Sequence, residues 1–155
     1  MTVTAFEAQA TWLPVVVGMQ CAAVSGDGVM MLSLHFGDVN ESFDGEIDAE
    51  RTITVDGSWR IERGNEVIAG SADPDDERMD SVGTLVGKSL ERFEVVRPGY
   101  DLSLFFSDGS VVRCFPVDSM EYAEDVEDPE DVEVSWWVTG RDIPDDWETA
   151  RVVTG

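Results

Sequence analysis

The chain has 155 residues, 43% of them hydrophobic, and its 33 acidic and 10 basic residues give a formal net charge of −23. Its length and apolar content allow a buried core and exclude an intrinsically disordered protein. The charge argues against direct binding to nucleic acid or an anionic membrane, because phosphate contacts need lysine and arginine. We expect a cytoplasmic protein with a single domain spanning residues 1–155, since the first ten residues lack the pattern of a secretory signal and no apolar run could span a bilayer.

The first half of the chain predicts one short helix and a series of strands. Thr4 and Glu7 match a capping box for a helix over residues 5–12, which Pro14 would end. Apolar alternation and turn residues predict strands at residues 19–24, 29–36, 52–55, 59–62 and 66–69. Asp56 and Gly57 are typical of a hairpin turn between two of these strands. Residues 37–51 are polar and acidic without a clear period, which predicts a loop.

The second half repeats this order of elements. Asp73 and Pro74 predict the start of a second short helix, with Asp73 as its N-cap. Alternation then predicts strands at residues 89–96, 102–106, 111–115 and 132–138. The strongest signal is the hairpin over residues 101–115, in which Ser107-Asp108-Gly109 supplies the turn. Residues 118–133 are predicted to form a solvated acidic loop, and the tail from residue 141 to 155 to cover one end of the core.

A short motif links the two halves. The strand Leu32-Ser33-Leu34-His35-Phe36 recurs as Leu102-Ser103-Leu104-Phe105-Phe106, and Val17-Gly18 before the first matches Val86-Gly87 before the second. This predicts an internal duplication of a helix-plus-hairpin unit, with halves of about residues 1–70 and 71–140 and a tail over 141–155. The fold class predicted from the whole pattern is α+β, mostly antiparallel strands with two short helices packed on one face or end.

No residue pattern predicts catalysis, a cofactor or a metal. His35 is the only histidine, and no nucleophile or orienting partner accompanies it in sequence, so we expect a structural role. Cys21 and Cys114 lie in apolar strands and are predicted to be buried thiols. Residues 38–45 resemble the start of a calcium loop, but Phe43 occupies the position of the required glycine and Ala49 that of the closing glutamate. We therefore expect no catalytic, cofactor-binding or metal-binding residues.

The segment from Val86 to Gly109 carries a family resemblance. Its Val-Gly pair and Asp-Leu-x-Leu-x-Phe-x-Asp-Gly pattern resemble small acidic bacterial domains of unknown function, some of which are similar to immunity proteins that neutralise secreted toxins. The resemblance covers about a quarter of the chain and brings no catalytic residues. It implies an inhibitor that binds another protein.

Charge and resemblance together favour a non-enzymatic protein-binding module, such as an immunity-type inhibitor, whose partner is a cationic protein. One alternative is a small-ligand-binding protein or hydrolase with a pocket lined by tryptophan and carboxylates. Another is an acidic surface that serves only solubility or adaptation to high salt. The candidate interaction surface consists of the acidic loop and three aromatic residues: Glu124, Asp125, Glu127, Asp128, Glu130, Asp131, Phe105, Trp136 and Trp137. Adjacent strand residues face opposite ways, so one of the two tryptophans is expected in the core.

Overall fold

The computed structural model describes residues 10–26, 31–116 and 135–143. A 3-10 turn over Leu13–Val15 precedes the first strand. The strands and the helix that follow, in chain order, are β1 Cys21–Gly26, β2 Met31–Glu41, β3 Ile47–Asp56, β4 Ser58–Arg63, β5 Glu66–Gly70, α1 Asp75–Gly83, β6 Leu90–Val96, β7 Asp101–Phe106, β8 Ser110–Phe115 and β9 Trp136–Gly140.

The strands form two antiparallel sheets. One sheet has four strands in the order β1-β2-β3-β9, and the other has five in the order β5-β4-β8-β7-β6. Alternating side chains from both sheets point into one core, to which β2 contributes Leu32, Leu34 and Phe36 and β7 contributes Leu102, Leu104 and Phe106. The two sequence-matched strands therefore face each other, and the rings of Phe36 and Phe106 stack with centroids 6.2 Å apart.

The predicted α+β fold with a repeated helix-plus-hairpin unit is wrong. The described residues are mostly antiparallel strand, with one α-helix and one 3-10 turn. None of the described helical segments is long and apolar enough to cross a membrane. The first predicted helix lies largely outside the described residues, and Asp73 does not cap α1: its carboxylate instead accepts the N–H of Gly70 at 2.8 Å.

What does recur is a backbone arrangement at the junction of the two sheets. The N–H of Gly18 donates to the carbonyl of Leu90 (2.7 Å), and the N–H of Gly87 donates to the carbonyl of Cys21 (2.8 Å). Two further bonds follow the same pattern: the N–H of Cys21 donates to the carbonyl of Lys88 (2.8 Å), and the N–H of Leu90 donates to the carbonyl of Met19 (3.0 Å). Gly18 and Gly87 share an unusual positive φ, 93° and 92°, which glycine adopts without strain. The start of β1 is therefore tied to the start of β6, and the two sheets share this edge.

Counted from the edge that the two sheets share, the fourth strand of each sheet comes from the other half of the chain. β4 follows β3 in sequence but pairs with β8, and β9 follows β8 but pairs with β3. Trp59 and Trp136 occupy matching places, opposite Cys114 and Val55 respectively. The predicted hairpin at Asp56–Gly57 is consequently wrong: β3 and β4 belong to different sheets, and the chain crosses between them at this corner.

We predict that Leu34→Ala and Leu104→Ala lower the free energy of unfolding by similar amounts, about 2–5 kcal/mol each. Both side chains are fully buried and occupy matching places on facing strands. Urea unfolding measures the loss. Val67→Ala is the control, since Val67 is 63% exposed and its truncation should change stability by no more than about 0.5 kcal/mol. A loss confined to one of the two leucines would show that the sheets do not contribute equally to the core.

Candidate functional site: an acidic arm with an exposed phenylalanine

Strands β2 and β3 continue past the edges of their neighbours as a two-stranded arm, residues 38–50. The last pairing of β2 with β1 is at Phe36, and the last pairing of β3 with β9 is at Arg51. Beyond these points β2 and β3 pair only with each other, after a bulge, as far as Glu41 opposite Ile47. The predicted loop over residues 37–51 is therefore wrong, because both ends of that segment are strand.

The tip of the arm presents an aromatic side chain to solvent. Phe43 is fully exposed, although the turn around it is ordered by hydrogen bonds. The Ser42 N–H donates to the carbonyl of Glu46 (2.8 Å), and the Asp44 carboxylate accepts the Ser42 hydroxyl and the Glu46 N–H. These bonds, chiefly that from Ser42, hold the pKa of Asp44 below its usual value. The turn is thus built around polar contacts that do not cover Phe43.

The arm carries acidic side chains and no basic ones: Asp38, Glu41, Asp44, Glu46, Asp48 and Glu50. Arginines pair with the acids near its base: Arg141 contacts Asp38 and Asp48, and Arg51 contacts Glu50. The exposed acids at the tip have no ion pair within the described residues. The unneutralised charge of the arm therefore surrounds Phe43.

The hairpin in the matching position of the other sheet has no arm. β7 and β8 are joined by residues 107–109 alone, and the N–H of Gly109 donates to the carbonyl of Phe106 to close that turn (3.1 Å). Leu104 pairs with Val112 there, as Leu34 pairs with Ile53 in the four-stranded sheet. A short turn is therefore sufficient to connect such strands, and the arm is an addition that the core does not require.

Phe105, one of the predicted interaction residues, lies on the outer face of the five-stranded sheet beneath an arginine. The guanidinium carbon of Arg92 is 3.6 Å from the ring centroid, and that of Arg113 is 5.8 Å away. Arg113 also donates to Glu62 (2.7 Å) and to the buried Ser103 hydroxyl (2.8 Å). A partner that contacts Phe105 would meet Arg92 first, and the role of Phe105 in binding stays a prediction.

Glu62 connects the cations on this face. Arg60 and Arg113 both donate to its carboxylate at 2.7 Å, and these bonds, led by that from Arg60, hold the pKa of Glu62 below its usual value. Arg60 in turn lies over the ring of Phe115, 4.8 Å from its centroid. The outer face of the five-stranded sheet therefore carries charges of both signs that compensate one another.

Trp136 and Trp137 lie on opposite faces of β9, as strand alternation requires. Trp136 is fully buried and donates its indole N–H to the carbonyl of Tyr100 at 2.9 Å. Trp137 is half-buried on the opposite face of β9. The six predicted acids of the loop, residues 124–131, lie outside the described residues. The structure thus places Trp136 in the core and leaves Phe105 and Trp137 as the described aromatic candidates from the prediction.

His35 sits in a row of hydroxyl groups on the outer face of the four-stranded sheet. Its Nε2 lies 2.7 Å from Ser25 Oγ and its Nδ1 lies 2.9 Å from Thr52 Oγ1. The ring is only 6% exposed, and burial lowers the pKa of His35 below its ordinary value. Burial thus disfavours the charged imidazolium, and the hydrogen bonds of the ring join three adjacent strands.

The described residues offer little else for chemistry. They contain no group of three metal-ligating side chains that could hold an ion. Burial raises the pKa of the Cys21 thiol to about 11 and that of Cys114 to about 12, so neither forms a reactive thiolate. A polar cleft of about 280 Å³ lies at the base of the arm, lined by Ile47, Asp48, Ala49, Thr52, Thr139, Gly140 and Arg141. It has one carboxylate and no tryptophan, unlike the pocket envisaged for a ligand-binding protein.

Sequence reasoning missed the arm although a signal for it was present. Ile47 and Ala49 alternate with Asp48 and Glu50, and this period continues into the strand that was predicted from Thr52 onward. The density of acids masked the alternation, since such residues are depleted in strands. The exposure of Phe43 has no signal in the sequence, because phenylalanine is among the residues most often buried.

We predict that His35→Gln removes one component of the pH dependence of stability. Because the folded pKa is lowered, native His35 stabilises the fold fully above the unfolded pKa of about 6.5, and this stabilisation is lost as the pH falls below it. Urea unfolding from pH 8 to pH 5 should show the wild type losing stability relative to the variant, by at most about 1.4 kcal/mol per pH unit. The carboxylates are common to both proteins and cancel in the difference. Parallel stability curves would contradict the prediction.

Comparison of the chain with protein-family models found no match, and comparisons with curated proteins and with solved structures found none.

Proposed function

We propose that this protein is a non-enzymatic protein-binding module that docks onto a cationic protein through the tip of its arm. An inhibitor of a basic secreted toxin, such as a nuclease, is the form of this activity that the sequence resemblance implies. The observation that carries the proposal is Phe43: it is fully exposed at the end of an ordered hairpin, among carboxylates without basic partners in the described structure.

The geometry of the tip suits a binding anchor. Aromatic side chains dominate the energetics of protein interfaces, because each buries a large apolar area at a low cost in conformational entropy. Carboxylates around such an anchor raise the rate of encounter with a cationic surface and reject anionic ones. Phe43 would set the lifetime of the complex, and Glu41 and Glu46 would speed its formation.

The distribution of the cations supports a basic partner. Every arginine in the described residues has a partner in the chain: a carboxylate, a hydroxyl, a carbonyl or an aromatic ring. The positive charge of the described arginines is therefore used internally. A surface with unpaired carboxylates and few available cations attracts a cationic protein and repels an anionic one.

The alternatives have weaker support. The cleft at the base of the arm, about 280 Å³, is almost wholly polar, whereas ligand pockets are mostly apolar. A second cleft of about 300 Å³ is mostly apolar, but its lining residues, Ala10, Thr11, Val95, Arg97 and Tyr100, include neither a carboxylate nor a tryptophan. An acidic surface serving only solubility explains the charge of the arm but not the exposed aromatic ring at its tip. A location in the cytoplasm completes the proposal, and the two free, buried thiols fit its reducing conditions.

Binding kinetics with a candidate cationic protein, measured at several salt concentrations, test the proposal. We predict that the double variant Glu41→Gln, Glu46→Gln slows association and flattens its salt dependence, with little change in dissociation. Phe43→Ser should do the reverse: dissociation should be at least about tenfold faster, as expected for loss of an aromatic anchor, and association should be nearly unchanged.

A matched control separates docking through the arm from a general effect of net charge. Glu66→Gln, Glu91→Gln removes the same charge from two exposed residues in the five-stranded sheet. If both double variants slow association equally, the arm is not the steering surface. To find the contact without assuming the partner, a photo-crosslinking phenylalanine can replace Phe43 or, as control, Val67. Crosslinks to a basic protein from position 43 alone are expected, and equal crosslinking from both positions would contradict the proposal.

A further inference from the structure

We infer that Arg141 is a positioning residue that clamps the arm and fixes the direction in which Phe43 points. The inference rests on the proposed function only for its binding consequence. Arg141 lies just after β9, at the base of the arm, and its guanidinium reaches both arm strands. It contacts the carboxylate of Asp38 on β2 at 3.4 Å and that of Asp48 on β3 at 3.2 Å.

The contacts of Arg141 extend to the backbone of the arm. Its guanidinium also donates to the carbonyl oxygens of Asp38 and Asp48, each at 3.4 Å, and its own N–H donates to the carbonyl of Glu50 at 3.2 Å. One side chain thus bridges the two strands where they leave the sheet.

The neighbours of Arg141 make this approach possible. A side-chain carbon on Gly140 would lie 2.5 Å from the carbonyl oxygen of Glu50, so only glycine permits the close contact between β9 and β3. On the far side, Asp142 accepts a hydrogen bond from Arg51 at 2.6 Å, and Arg51 also pairs with Glu50. The buried Ile143 anchors the end of this short segment to the core.

A clamp is needed because an isolated two-stranded hairpin is at best marginally stable in water. The arm receives no pairing from β1 or β9 beyond its base, so contacts across the base must hold its orientation. An arm held before the encounter loses less conformational entropy on binding than a mobile one does. Arg141 would therefore strengthen binding even though it carries the same sign of charge as the proposed partner.

Because Arg141 and the proposed partner are both positively charged, a substitution of Arg141 can separate positioning of the arm from attraction between charges. Arg141→Gln makes the chain one charge more negative. If attraction between charges is all that matters, this variant binds the cationic partner faster and more tightly. If Arg141 positions the arm, the affinity falls by about two- to fivefold, the range expected for loss of exposed ion pairs, in spite of the added negative charge. Arg141→Lys, which keeps the net charge, should lie between the wild type and Arg141→Gln.

Amide hydrogen exchange on the protein alone tests the clamp without a partner. Arg141→Gln should speed exchange about two- to fivefold in the arm, over residues 39–41 and 47–49, and leave β7 and β8 unchanged. Arg92→Gln is the matched control: Arg92 is an exposed arginine paired with Glu94 on the other sheet, and its loss should not affect the arm. Unchanged exchange in the arm, or an equal effect of both variants, overturns the inference.

The two proposals can fail separately. Faster exchange confined to the arm in Arg141→Gln supports the clamp whether or not a cationic partner is found. Tighter binding by Arg141→Gln overturns the positioning role of Arg141 but leaves docking through Phe43 in place. Binding that is indifferent to Phe43→Ser overturns the proposed function alone.

Discussion

The reciprocal hydrogen bonds between residues 18–21 and 87–90 hold the two sheets together along one edge. Without them, the starts of β1 and β6 would be free strand edges, which pair readily with other chains. The bonds require the chain to turn sharply on both sides, and Gly18 and Gly87 supply the positive φ that this needs. Leu13, Val16, Val82 and Leu85, all fully buried, close the core beneath this junction. β2 and β7 therefore lie opposite each other across the core, because each is the second strand counted from the joined edge.

Local patterns in the sequence predicted most strands but not their partners. Alternation located β7, β8 and β9, since the large apolar side chains that each buries in the core lie two residues apart. It could not show that β4 and β9 are exchanged between the halves of the chain, because Asp-Gly is equally compatible with a hairpin and with a corner between sheets. At the candidate site the limits were similar: alternation placed one of two adjacent tryptophans in the core, but the exposure of Phe43 depends on how far β2 and β3 extend past their neighbours.

The described arginines have partners at particular places in the structure. On the five-stranded sheet, the guanidinium groups of Arg92 and Arg113 lie over the ring of Phe105. At the base of the arm, Arg51 and Arg141 neutralise acids that would otherwise repel one another across the hairpin. Each exposed pair contributes little stability by itself. Because these arginines compensate the acids beside them, the described acids without an ion pair lie elsewhere, and those at the arm tip are among them.

The charge and the exposed aromatic ring at the tip have opposite effects on the solubility of the protein. Carboxylates keep proteins apart, whereas an exposed aromatic ring promotes association and lowers solubility. A chain under pressure for solubility alone would have no use for Phe43, and the short turn between β7 and β8 shows that strands in this position can be joined without an arm. An exposed ring surrounded by carboxylates instead fits the proposed partner, whose surface would be apolar at its centre and cationic around it. The same carboxylates on two copies of this chain would repel one another.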